Sequence, residues 1–139
     1  MTDSQPCDTW IEYAKRKRAE RLCEAEQVWS ALVAGGGGDE TVLAVDFTHF
    51  GPSQGDVESL GRQLSEHYTV KAERGPDAYW RLEGTTRPYG ITLSAADHIS
   101  WVGFMCDVAQ SHGCVFSTWS LSAPALALTV RSEPFERDS

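Results

Sequence analysis

A chain of 139 residues, 41% hydrophobic and 23% charged, has the size and make-up of one globular domain with a single core. Its formal net charge of −8 repels nucleic acid phosphates and favours a basic surface on another protein, so no direct nucleic acid partner is expected. The longest apolar stretches, at residues 30–34 and 122–130, fall well short of the roughly 20 residues of a spanning helix, so no membrane association is expected either.

The opening Met1-Thr2-Asp3-Ser4 has no basic start followed by an apolar run, so no signal peptide is expected. Without a secretory context, Cys7, Cys23, Cys106 and Cys114 read as reduced thiols in a cytoplasmic protein. Residues 1–8 read as a frayed start. Thr9 and Glu12 have capping-box spacing, and residues 10–34 are rich in helix formers. Leu22, Ala25, Trp29 and Leu32 form one apolar stripe in the second half of that helix. Four glycines, Gly35 to Gly38, follow and read as a flexible hinge. Residues 1–38 are therefore predicted to be a helix and linker set apart from a main domain at 39–130.

In that domain, Leu43, Val45 and Phe47 alternate with Ala44, Asp46 and Thr48, which predicts a half-buried strand ended by Gly51-Pro52. Ser53 with Asp56 marks a helix start, and Val57, Leu60 and Leu64 supply its apolar face. Alternation returns with Tyr68, Val70 and Ala72 inward, then a turn at Gly75-Pro76-Asp77, then Ala78, Trp80 and Leu82 inward; this is a predicted hairpin. A loop through Gly84, Pro88 and Gly90 leads to Ser94 and Asp97, a second helix start. Ile99, Val102, Cys106 and Ala109 form its predicted core face, and Gly113 its end. Residues 114–120 read as a last strand, residues 123–130 as a further strand or a contact-ordered segment, and residues 131–139 as a disordered tail. The order strand, helix, strand, strand, helix, strand predicts an α+β domain: a ferredoxin-like βαββαβ antiparallel sheet with both helices on one face, plus the N-terminal helix.

Four segments carry a likeness. They are Asp46-Phe47-Thr48-His49-Phe50-Gly51, the stretch from Tyr79-Trp80-Arg81-Leu82 to Arg87-Pro88, Trp101-Val102-Gly103-Phe104-Met105, and Gly113-Cys114-Val115-Phe116-Ser117-Thr118-Trp119. In this order, from residue 42 to about 120, the chain resembles the RraB family, named for a protein regulator of ribonuclease E. Gly113, Phe116 and Trp119 fit the family's last motif. Ser117 and Thr118 stand where that family typically has Asp and Gly. The resemblance implies a ferredoxin-like fold and a cytoplasmic, non-catalytic protein that binds a ribonuclease and lowers its activity. Family and fold do not by themselves fix the partner.

No cluster predicts catalysis or a cofactor. There is no Gly-x-Ser-x-Gly turn, and neighbouring helix positions send Asp97, His98 and Ser100 apart. His112, Cys114 and Cys106 lack the paired spacing of a zinc site, so no metal is expected and the thiols read as core. The basic run Lys15-Arg16-Lys17-Arg18 with Arg21 reads as a solvated helix face paired with Glu12, Glu20 and Glu24, with an acidic partner surface or RNA as its functional alternatives. The face carrying Asp46, Thr48, Tyr79, Arg81 and Glu83 has too few aromatics to stack bases. Partner binding is expected instead at Trp101, Met105, Ser117, Thr118 and Trp119, since large aromatics at a surface are favoured anchors. The alternatives are a small-molecule or enzymatic pocket near His98, His112 and Trp119, and a homodimer paired through the N-terminal helix.

Overall fold

The computed structural model describes residues 5–75, 79–87 and 90–135, with side chains from Trp10 onward. The predicted turn residues Pro76 and Asp77, the predicted inward strand residue Ala78, the loop residue Pro88 and the tail 136–139 lie outside the described residues. The elements run α1 (Gln5–Ala34), β1 (Ala44–Gly51), α2 (Gln54–Leu64), β2 (Thr69–Arg74), β3 (Trp80–Thr85), α3 (Ala95–Ser111), β4 (Val115–Ala123) and β5 (Leu128–Arg131). The architecture is α+β: three helices and an open, fully antiparallel five-stranded sheet ordered β2-β3-β1-β4-β5.

Local chemistry sets the helix starts. The Ser53 hydroxyl accepts the Asp56 N–H at the start of α2. Ser94 and Asp97 form a reciprocal capping box at the start of α3. The inward rows of the sheet are Val45, Phe47 and His49 on β1, Leu82 and Gly84 on β3, and Phe116, Trp119 and Leu121 on β4. A side chain at Gly84 would put its Cβ 2.2 Å from the Phe47 ring, so only glycine lets that ring lie across β3. α2 covers β1 to β3, α3 covers β4, and α1 lies beside α3 and against β5.

Three expectations are corrected. First, α1 belongs to the core: Ala25, Val28 and Leu32 are fully buried, and Arg18 on α1 pairs with Asp107 on α3 at 2.9 Å. Second, the glycine run is a helix cap. Gly36 has φ +101°, its N–H donates to the Val33 carbonyl at 3.0 Å, and the Gly37 N–H donates to the Leu32 carbonyl at 2.9 Å. These two bonds satisfy carbonyls that a helix end leaves orphaned. A Cβ on Gly35 would meet Leu128 at 2.5 Å, so the run is also where α1 closes onto β5.

Third, residues 131–135 are anchored through Ser132 and Phe135. Ser132 is buried; its N–H donates to the Trp119 carbonyl and its hydroxyl accepts the Trp119 N–H, both at 3.0 Å. Phe135 packs against the core. α1 also begins at Gln5, ahead of the capping pair that Thr9 and Glu12 suggest.

Candidate functional site

The register of β4 decides where the expected partner residues point. Thr48 faces Thr118 and His49 faces Phe116, which leaves Ser117 as an extra residue opposite the Thr48/His49 step. This bulge turns Phe116 and Trp119 to the same side, although strict alternation would separate them. Both are buried, with ring centroids 5.3 Å apart and nearly parallel planes. Trp119 is therefore core, not the surface aromatic its alternation suggests. Met105 is fully buried as well, which corrects its expected half-exposure. The predicted core face of α3 is rotated: His98, Val102, Met105, Val108 and Ala109 are buried, while Ile99 and Cys106 are half-buried. Trp101 closes the core rim, donating from Nε1 to the Tyr68 hydroxyl at 2.9 Å, with its ring edge-on to Phe47 and Phe116. Ser117 and Thr118 are half-buried and line different grooves.

The imagined pocket at His98, His112 and Trp119 does not form. His98 and Trp119 meet inside the core, where the indole Nε1 donates to His98 Nε2 at 3.1 Å. His112 lies elsewhere, with its Nε2 2.7 Å from Gln63 Oε1. Burial holds His98 neutral, pushing its pKa down to about 4. His49 is fully buried and neither ring nitrogen makes a well-formed hydrogen bond. Desolvation pushes its pKa down to about 3, offset only slightly by the Met105 backbone. Desolvation also pushes the Cys106 thiol up to about 12 and Cys114 up to about 11, far from a reactive thiolate. Among the described residues, no three metal-ligating side chains gather.

What the fold does assemble is a groove of about 710 Å³ beside the N-terminal half of α1. One wall is a helical stripe of Trp10, Tyr13, Lys17 and Arg21, spaced three and four apart. The other walls are Phe50, Gly51 and Pro52 where β1 ends, Tyr79 before β3, and Gly113, Val115 and Ser117 around the start of β4. Trp10 stacks on Tyr13 with centroids 5.9 Å apart. The Arg16 guanidinium and Lys17 ammonium lie 5.4 and 5.6 Å from the Tyr13 ring centre, the geometry of a cation–π contact. Tyr79 is 53% exposed, unusual for an aromatic of that size next to other apolar groups.

The floor is rigid. Arg21 is buried, its Nη1 2.8 Å from Glu24 Oε2, and its Nε donates to the Phe116 carbonyl at 3.0 Å, one residue before the bulge. This buried pair ties α1 to β4 at the groove and fixes Ser117 on its rim. The basic run is thus divided. Arg18 turns to Asp107, and its guanidinium pKa is raised by that carboxylate. Lys17 lies 3.5 Å from Glu20, and Arg16 is exposed, with its guanidinium over the Tyr13 ring.

On the opposite, open face of the sheet lies a second trough of about 390 Å³, lined by Thr48, Thr69, Thr85, Thr118 and Ser120 with Lys71 and Glu83. The sheet's free edge at β2 is polar and salt-bridged, with Glu73 held by Arg81 across the β2–β3 hairpin.

Sequence reasoning misses the groove because its parts come from four separated segments. The Trp10–Tyr13–Lys17–Arg21 spacing is the one local signal, masked by the polar character of its last two members. No family model matches the chain and no curated protein matches it, so the likeness to the RraB family rests on the four quoted motifs.

Proposed function

We propose that this protein is a non-catalytic regulator that binds another protein through the groove between α1, the end of β1 and the β4 bulge. The observation that carries it is the aromatic lining of one groove, Trp10 and Tyr13 on one wall with Phe50 and Tyr79 on the others, left partly open to solvent over a floor fixed by the Arg21–Glu24 pair. Tyr and Trp are the favoured anchors of protein interfaces, and exposed apolar patches of this kind mark interaction sites. His49, His98 and Cys114 are buried and Cys106 half-buried, and desolvation disfavours the charged form of each.

The core unit is read as a ferredoxin-like domain. Its support is the strand order β2-β3-β1-β4, with α2 between β1 and β2 and α3 between β3 and β4. α1 and β5 extend that unit by one helix and one strand. With the RraB-like motifs, this arrangement favours a ribonuclease E-like enzyme as the partner and the cytoplasm as its setting. Ser117, in place of the family's Asp, lies on the groove rim, so the contact at that point is hydroxyl-based instead of acidic. Met105 and Trp119 are left out of the proposed interface because they are buried.

The test uses purified components. A ribonuclease E-like enzyme cleaving an RNA substrate should slow when this protein is added, and Tyr79→Ala or Trp10→Ala should restore the rate. Cleavage unaffected by any amount of protein rules out that partner. Turnover of a small substrate by the protein alone, lost on changing one polar side chain, would overturn the non-catalytic reading.

A further inference from the structure

The groove's own chemistry says what kind of segment enters it. We propose that its occupant is an acidic stretch of the partner protein that places an aromatic or large aliphatic side chain between Tyr13 and Tyr79 and its carboxylates against Arg16 and Lys17. This rests on the reading of the groove as the docking site and adds the identity of what docks.

Charge complementarity carries it. The chain has a formal charge of −8, yet residues 15–18 are four consecutive cations, of which Lys17 lines the groove and Arg16 lies over the Tyr13 ring of its wall. Their roles differ. Arg18 is spent on Asp107 and Arg21 on Glu24 and the Phe116 carbonyl. Arg16 and Lys15 are exposed and make no ion pair among the described residues. Lys17 makes a loose contact with Glu20 at 3.5 Å. Lys17 lines the groove and Arg16 sits over Tyr13, one of its wall residues, so that ring holds two cations close to the cleft. The nearby acids are Glu12, Glu20 and Asp56, with Glu24 buried under the floor. Of these, Glu20 pairs with Lys17 and Glu24 with Arg21.

The apolar part fits one or two side chains. Phe50, Pro52, Val115 and Tyr79 face Trp10 and Tyr13 across a space of about 710 Å³, the size range of pockets that bury a compact ligand group. A peptide is favoured over RNA by range. The few carboxylates flanking one anchor side chain fall within roughly 8 Å of the cations, about one Debye length, while a polyanion charged along its whole length also meets the acidic remainder of the surface.

The test measures anisotropy of labelled 12-residue peptides with the full chain. One peptide carries Glu and Asp around a central Trp and Phe. The second replaces the acids with Gln and Asn, the third replaces the aromatics with Ser, and a 12-nucleotide uridine RNA is the fourth probe. The acidic aromatic peptide should bind, and should lose about tenfold in affinity with the Gln and Asn replacements or in the double variant Arg16→Gln/Lys17→Gln. Arg74→Gln, on the exposed edge strand β2, should leave it unchanged. Thermal melts of both variants establish that they fold. Equal binding of the charge-free peptide, or tight binding of the RNA with none of the peptide, overturns the proposal. If Tyr79→Ala weakens the charge-free peptide while Arg16→Gln/Lys17→Gln has no effect, the groove still docks a partner and only the acidic occupant falls. If neither Tyr79→Ala nor Trp10→Ala affects any probe that binds, the docking site itself is wrong.

Discussion

Acid should destabilise this protein above the pH at which its carboxylates protonate, because its core holds two neutral histidines. His49 and His98 are both fully buried, and their pKa values lie near 3 and 4 in the fold against an ordinary value of 6.5. A folded pKa below the unfolded one means the unfolded chain takes up the proton first. The stability is therefore fully present above about pH 6.5 and is lost as pH falls toward the folded values. At pH 5, each histidine that is protonated only in the unfolded chain shifts the balance by about 2 kcal/mol, or about 4 kcal/mol for the pair. Small domains have about 5–15 kcal/mol in total, so the loss is a large share. Urea unfolding at pH 7 and pH 5 measures it. His49 has no well-formed hydrogen bond to lose, so His49→Leu should fold and cut the pH-dependent loss by about half. Glu73, whose pKa is lowered chiefly by Arg81, contributes in the same direction only at more acid pH. An unchanged stability between pH 7 and pH 5, or a His49→Leu variant with the full loss, would refute the reasoning.

Other outcomes follow from single contacts. Glu24→Ala leaves Arg21 buried without its carboxylate and should cost about 3–5 kcal/mol in chemical unfolding. Gly36→Ala forces a side chain into the left-handed region at the end of α1 and should cost about 1–2 kcal/mol, read as a lower Tm. Leu32→Ala should cost about 2–5 kcal/mol, as for any fully buried leucine, whereas a separate helix on a free linker would leave the main unfolding transition unmoved. Trp119→Phe removes the donor to His98 Nε2 and should cost about 1–3 kcal/mol.

Much of the fold is written in local chemistry. Ser53 and Asp56, Ser94 and Asp97, and the Val45–Phe47 alternation each specify an element by themselves, and each forms as its residues imply. What is not local is harder to read. The glycines after Ala34 look like a hinge until Leu128, far along the chain, is seen to occupy the space their missing side chains leave. Trp119 looks outward until the extra residue at Ser117 is placed in register against β1. The residues from Arg131 to Phe135 look loose because their charge is visible and the two Ser132 bonds to Trp119 are not. The groove has the same character. Tyr79 and Tyr13 are ordinary surface tyrosines in sequence and neighbours across a cleft only once α1 packs beside β4.

Site-specific photo-crosslinking in cells tests the central claim most directly. A photoreactive phenylalanine analogue placed at Tyr79 reports on the groove. The same analogue at Phe104, 48% exposed on α3, reports on a surface outside it. A discrete adduct with one protein from position 79, absent from position 104, is the predicted result. An adduct from position 104 with none from position 79 would contradict it.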